Sequence, residues 1–187
     1  MTRVAGLVLA AGEGRRFGGP KALVPGWLAD RVRALGDGGC APVVVVLGAA
    51  ADEARVLVPA GTLVVVAADW AEGMGASLRA GLDAAAVLEP APDAVLVALV
   101  DTPGLTAAAV SRLVASAGRD PRAALAQAVY TGQPGHPVLI GRDHWPGVRS
   151  VARGDRGARD YLAARDVALV ECGDVGDGAD VDRPSLR

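Results

Sequence analysis

Continuous apolar runs of strand length punctuate the chain at Val4–Ala10, Val43–Leu47, Leu63–Ala67 and Ala94–Val100, with shorter candidates at Val138–Ile140 and Val167–Val170. They do not alternate apolar with polar residues, as strands with one wet face do, so they predict strands covered on both sides. Helical spacing fills the intervals. Met74, Leu78, Leu82 and Ala85 form one stripe; Val110, Leu113, Val114 and Ala117 form another, opening after Thr106 as N-cap. Ala158, Tyr161 and Leu162 follow Asp155, a further N-cap candidate. Strand–helix alternation predicts an α/β fold, a three-layer sandwich around a mostly parallel central sheet, with one domain over residues 1–187. In such sheets ligands bind beyond the carboxyl ends of the strands, which directs attention to the loops after Ala10, Ala67 and Val100. The Gly- and Pro-rich segment from Gly132 to Arg153 reads as an excursion shaping a second substrate's pocket.

Composition sharpens this picture. The 187 residues fit one domain of roughly 150–200 residues, and 51% apolar with 21% charged residues argues for a packed core over disorder. A formal net charge of −2 without a basic run removes the electrostatic footprint of nucleic-acid binding. The apolar first ten residues are too short to span a bilayer, and no small-residue cleavage pattern follows them, so the expectation is a cytoplasmic protein without membrane partners. Cys40 and Cys172, with no CxxC, are expected to be reduced and structural. Of 19 basic residues only Lys21 is a lysine. In an Arg-rich chain that makes it a candidate for a role that Arg's broad fork cannot fill, such as a compact charge in a tight phosphate site.

That lysine closes the run Leu9-Ala10-Ala11-Gly12-Glu13-Gly14-Arg15-Arg16-Phe17-Gly18-Gly19-Pro20-Lys21. A Gly-rich turn after the first strand lets backbone N–H groups converge on an anion. It is not a P-loop, because Ala22 supplies no hydroxyl for Mg²⁺ after Lys21. It is not a dinucleotide fingerprint either, because Phe17 stands where the third Gly belongs. Arg15 and Arg16 suit a triphosphate.

The same run resembles the signature L-A-A-G-x-[SG]-x-R-[MF]-G-x-x-K of the sugar-phosphate-type nucleotidyltransferases, and is especially similar to the molybdenum cofactor nucleotidyltransferases. Further pieces follow in family order. Asp69-Trp70-Ala71-Glu72-Gly73-Met74-Gly75-Ala76-Ser77-Leu78 resembles N-x-x-W-x-x-G-M-x-x-S-[LI], with slightly altered spacing, and Asp101-Thr102-Pro103 resembles D-[QM]-P. Gly135-His136-Pro137-Val138 matches G-H-P-V, Gly154 to Arg159 matches G-D-x-G-A-R, and Asp180 to Pro184 resembles D-[IV]-D-T-P. Three departures stand out: the compressed stretch from Pro25 to Asp30, Asp69 in place of Asn, and Arg183 in place of Thr.

The resemblance implies a Rossmann-like fold of the nucleotide-diphospho-sugar transferase type and a reaction in which an acceptor phosphate attacks the α-phosphorus of a nucleoside triphosphate, releasing pyrophosphate. Such transfer needs positioning and charge neutralisation in place of a protein nucleophile. Arg15, Lys21 and Asp101 would be catalytic. Leu9, Ala10, Ala11, Gly12, Gly14, Arg15, Lys21, Asp69, Gly73 and Ser77 would hold the nucleotide, with Asp101 and Asp182 as Mg²⁺ ligands. His136, Arg156 and Arg159 would face the acceptor. Plainer accounts stand beside these: Arg15 and Arg16 as solvated surface residues, Ser77 as a helix-start residue, and Met74 as core. His136 then fixes a turn, His144 lies at the surface, and Arg156 and Arg159 flank a capped helix. Asp180 and Asp182 then belong to a solvated tail. On the ligand account Asp182, and not Asp180, is the second carboxylate of the metal site. Ala11, where the guanylyl-transferring branch carries Gly, points to CTP. The acceptor implied is the molybdenum cofactor, with a molybdoenzyme or its maturation chaperone as a further partner. The alternatives are a sugar phosphate or other phosphorylated acceptor, or a nucleotide-binding accessory protein without turnover.

Overall fold

The computed structural model describes residues 2–183, so Pro184 of the last motif lies outside the described residues. Seven strands form one sheet: β1 (Val4–Ala10), β2 (Val43–Leu47), β3 (Leu63–Val66), β4 (Ala94–Leu99), β5 (Leu125–Tyr130), β6 (Gln133–Gly141) and β7 (Ala168–Glu171). The helices are α1 (Trp27–Asp37), α2 (Ala51–Arg55), α3 (Met74–Ala86), α4 (Ala107–Ser116), α5 (Trp145–Val151) and α6 (Arg159–Ala163). The sheet order is β3-β2-β1-β4-β6-β5-β7. β6 runs antiparallel to both neighbours, and every other pairing is parallel. Among the described residues no helix is long and apolar enough to cross a membrane.

All seven residues of β1 are buried, as its unbroken apolar run requires. Val4, Val8 and Ala10 enter one core layer with Leu28 and Leu35 of α1 and Val110 and Leu113 of α4. Ala5, Leu7 and Leu9 enter the other, with Leu78 and Leu82 of α3, Trp145 and Val148 of α5, and Tyr161 and Leu162 of α6. This two-sided burial is the period-2 geometry of a strand in a three-layer sandwich. α1 forms despite the compressed stretch before it, entered through Gly26 in a left-handed conformation (φ 82°).

Three sequence expectations change. The segment from Gly132 to Arg153 is no excursion. Its first part is the nine-residue strand β6, which contains the predicted run Val138–Ile140 and pairs with β5; β5 itself is not predicted because Gln127 interrupts its apolar run. Asp155 is not an N-cap: it sits in a 3-10 turn over Gly154–Arg156, and α6 starts after Ala158 without a side-chain cap. His144 is not a bare surface residue, since its ring bridges the Tyr161 hydroxyl (3.0 Å) and the Ala123 carbonyl (2.9 Å). Thr106, by contrast, caps α4 as expected, its hydroxyl accepting from the Ala109 N–H at 3.2 Å.

Connections leave β1 toward β2 and β3 on one side, while β4 and the strands after it lie on the other. The crevice beyond the carboxyl ends of β1 and β4 is therefore the topological switch point, where α/β sheets bind ligands.

Candidate nucleotide site and adjoining cavity

The loop leaving β1 closes on itself through one acceptor. The N–H groups of Phe17, Gly18 and Gly19 all donate to the Gly14 carbonyl, at 2.9, 2.9 and 3.2 Å. Gly14 holds φ 66°, and a Cβ there would lie 1.9 Å from the Gly19 carbonyl oxygen, so only glycine fits. Gly12 differs: a Cβ on it would meet nothing within 4 Å, because its face is open. The loop delivers Lys21 beneath it. The Lys21 Nζ lies 2.6 Å from Asp101 Oδ2 and 3.4 Å from Asp182 Oδ1, and Arg16 Nη1 adds a contact to Asp182 Oδ2 at 3.3 Å. Lys21 and Asp101 are mostly buried, so this pair is screened less than a surface bridge would be.

Asp101 follows the end of β4, and the C-terminal segment is strapped across it. Thr106 Oγ1 donates to the Val175 carbonyl (2.7 Å), the Asp177 N–H to Gly104 (3.1 Å), and the Val181 N–H to the Asp101 carbonyl (2.9 Å). The strap brings Asp180 and Asp182 to Asp101, with one carboxylate oxygen from each of the three within 4.8 Å of the others. The expectation that Asp182 alone joins Asp101 is thus overturned. Side chains two apart in an extended segment share a side, so alternation does not separate Asp180 from Asp182, and the Val181 N–H bonded to the Asp101 carbonyl holds both beside it.

Two cavities meet here. The smaller, about 210 Å³, is lined by Leu9, Ala10, Ala11, Gly12, Gly14 and Lys21 from the loop, by Trp70, Gly73, Met74 and Ser77, and by Leu99, Val100, Asp101 and Asp155. The larger, about 750 Å³, has an apolar floor that includes Val97, Val138 and Ile140 and a rim carrying Arg156, Arg159 and Arg165. Leu9, Met74, Leu99 and Asp155 belong to both walls. Met74 therefore does two things, packing against the core and facing the crevice. The α3 start is pressed onto this junction: Gly73 has φ 117°, and a Cβ there would lie 2.6 Å from Asp155 Oδ1.

Most sequence-predicted residues converge, and a few do not. Arg15 points to solvent and pairs with Glu13, and Asp69 is exposed, lining neither cavity. Ser77 is buried in the first turn of α3. Arg156 is fastened to Asp160, so of the two rim arginines predicted from sequence Arg159 is the one without a recorded carboxylate partner among the described residues. His136 lines the larger cavity, and burial pushes its imidazole down to about 4 even though Asp101 and Asp180 pull the other way. It is neutral near pH 7, and its carbonyl accepts from the Tyr130 hydroxyl at 2.8 Å. Sequence reasoning missed Trp70, Asp155, Gln127 and Asp180 as cavity residues. Trp70 and Asp155 stood inside quoted motifs, but no local signal marked Gln127.

The chemistry available is anion binding by backbone N–H groups and one lysine, beside three carboxylates that can share a hard divalent cation. Comparison with known proteins agrees with this geometry. The family model described as "MobA-like NTP transferase domain" matches residues 6–169. A curated relative, the nicotine blue oxidoreductase of Paenarthrobacter nicotinovorans, is 41% identical over 194 residues, covering 96% of this chain and 92% of that protein. The crystal structure of the Mycobacterium sp. strain JC1 homologue of Mycobacterium tuberculosis Rv0371c superposes with a TM-score of 0.81 at 30% identity, covering 97% of this chain and 91% of that one. The Mycobacterium tuberculosis Rv0371c structure in complex with manganese gives 0.73 at 25% identity, covering 91% and 88%. The chain belongs to the MobA-like NTP transferase family, with the nucleotide-diphospho-sugar transferase fold, and is a nucleotidyltransferase.

Proposed function

We propose that the protein transfers a nucleoside monophosphate, CMP from CTP, onto the phosphate of a molybdenum cofactor-type acceptor, releasing pyrophosphate. The observation that carries this reading is the convergence of Lys21, Asp101, Asp180 and Asp182 where the smaller cavity meets the larger one. A triphosphate laid along the Gly-rich loop would put its α-phosphorus at that junction, facing an acceptor in the larger space. An acceptor phosphate oxygen bonds to the α-phosphorus as the bond to the β-phosphate oxygen breaks. The attacker is already anionic, so no base is needed, consistent with a neutral His136 held at the wall by burial. Lys21 and the N–H groups around Gly12 and Gly14 would steady the charge growing on pyrophosphate. Asp101, Asp180 and Asp182 suit Mg²⁺ or Mn²⁺, and the Lys21 ammonium bridging Asp101 and Asp182 supports a cation fitting there. When bound, such an ion neutralises phosphate charge and orients the leaving group. Arg159, and Arg156 once released from Asp160, would receive the acceptor's phosphate.

Ala11 supports CTP, since its buried side chain narrows the smaller cavity beside the loop. A molybdoenzyme or its maturation chaperone would receive the product. The deciding experiment measures Mg²⁺-dependent pyrophosphate release with each of the four triphosphates, against the molybdenum cofactor and against a set of sugar phosphates. Turnover with a sugar phosphate alone would keep the transferase and change the acceptor. Nucleotide binding without turnover would make the chain an accessory protein. A second reading rests on the 41% identity to a protein named as an oxidoreductase. Reduction of nicotine blue coupled to oxidation of a reduced nicotinamide cofactor by the purified protein would favour it, although Phe17 breaks the dinucleotide fingerprint.

A further inference from the structure

The buried stripe of α1 carries Leu28, Arg31, Ala34 and Leu35, so an arginine occupies a position where helical spacing calls for an apolar residue. Arg31 is only 4% exposed. Its Nη1 donates to the Thr102 carbonyl at 2.7 Å and its Nη2 to the Pro103 carbonyl at 3.2 Å. Its Nε is buried with no partner among the described residues, and no ion pair to a carboxylate is recorded for it. Burying a cation against carbonyl dipoles alone costs several kcal/mol. A helix that needed only to pack would carry Leu or Met there.

What the guanidinium grips is the turn that carries Asp101. Thr102 Oγ1 ties the same turn to the Leu99 carbonyl at 2.9 Å, and the Val181 N–H ties the Asp101 carbonyl to the strap that bears Asp180 and Asp182. We infer that Arg31 is a positioning residue: by gripping the Thr102 and Pro103 carbonyls it fixes the turn after β4, so that the carboxylate of Asp101 is held in register with Asp180 and Asp182. It touches neither nucleotide nor metal. This inference rests on the proposed reading of the three carboxylates as a divalent-cation site.

The test measures Mn²⁺ binding by electron paramagnetic resonance in the presence of CTP, with thermal melting in parallel. The proteins are wild type, Arg31→Met, Arg31→Gln, Arg31→Lys and the control Leu35→Ala, which thins the same buried stripe without touching the turn. Loss of a group that orients a metal ligand typically weakens metal binding by about 10–100-fold. Arg31→Met and Arg31→Gln should fall in that range, and Arg31→Lys should recover part of the loss by reaching one of the two carbonyls. Leu35→Ala should melt earlier and bind Mn²⁺ like wild type. Should the Met and Gln variants not fold, Arg31→Lys alone decides, with several-fold weaker binding expected. Wild-type affinity in the Arg31 variants, or an equal loss in Leu35→Ala, overturns the inference and leaves the metal reading standing. Failure of wild type itself to bind Mn²⁺ overturns the metal reading and this inference with it.

Discussion

The two cavities that meet at Asp155 are built by different means. The smaller is closed on one side by a loop folded onto the Gly14 carbonyl, with Lys21, Asp101 and Asp155 as its charged groups. The larger is made of side chains, apolar residues of β4 and β6 for a floor and arginines for a rim. The first presents fixed dipoles and point charges that suit a charge-dense group of constant geometry. The second presents a broader apolar floor, with charge from the rim arginines and from Asp155, Asp166 and Asp180. Changes in the first should therefore act on the chemical step, and changes in the second on the affinity for the acceptor.

The largest effect is expected at Lys21. Lys21→Ala should lower kcat by about 10²-fold or more, the usual loss for one positioned charge stabiliser, with Lys21→Arg restoring only part because its fork is broader. Steady-state kinetics at saturating Mg²⁺ checks this, and near-normal turnover in Lys21→Ala would remove the loop from the phosphate site. Next come the carboxylates. Asp101→Asn and Asp182→Asn should each raise the Mg²⁺ needed for half-maximal rate by about tenfold or more. Asp180→Asn should now do the same, since the strap brings all three together. A silent Asp180 with sensitive Asp101 and Asp182 would reduce the site to two ligands.

On the acceptor side, Arg159→Ala should raise the acceptor KM by about tenfold, the worth of one charge-assisted contact, with kcat changed much less. Arg156→Ala should do less, because that guanidinium must first leave Asp160. Equal drops in kcat for both would erase the contrast between the cavities. Ala11→Gly should shift the CTP-to-GTP ratio of kcat/KM toward GTP by about tenfold, within the 1–3 kcal/mol that one methyl contributes. Competition between the two triphosphates measures it. The smallest kinetic effect belongs to His136. With its folded pKa near 4 against an ordinary 6.5, the unfolded chain binds the extra proton between those values. Stability contributed by the neutral ring is thus complete above pH 6.5 and is lost as pH falls toward 4. Replacing His136 with Gln should flatten the melting temperature across that window and leave the rate profile above pH 6.5 unchanged. A rate profile that lost a limb near neutrality would return His136 to the chemistry.

Legibility divides along the same line as the cavities. The Gly-rich loop and Asp101 could be read because each follows a strand that its own apolar run announces, and Lys21 because it is the chain's single lysine and closes that loop. Strand ends in a parallel sheet point their loops to one edge. β5 and the first half of β6 could not be read, since Gln127 and the residues from Gln133 to His136 break the apolar pattern where the strands pass the cavity; only Val138–Ile140 announced the rest of β6. No local sequence signal marks Arg31, and only the packing of α1 under the β4 turn makes it a buried donor.

Local chemistry along the chain determined the α/β layering, the strand-to-loop transitions and the types of group at the phosphate end, because periodicity and glycine placement act within a few residues. Tertiary structure alone decided that Asp180 joins Asp101 and Asp182, that Arg15 and Asp69 stay outside the crevice, and that Arg156 is held by Asp160. Those outcomes depend on hydrogen bonds and ion pairs whose strength is set by where a strap, a turn or a short helix comes to rest. A sequence pattern names the charge but does not fix which partner reaches it first.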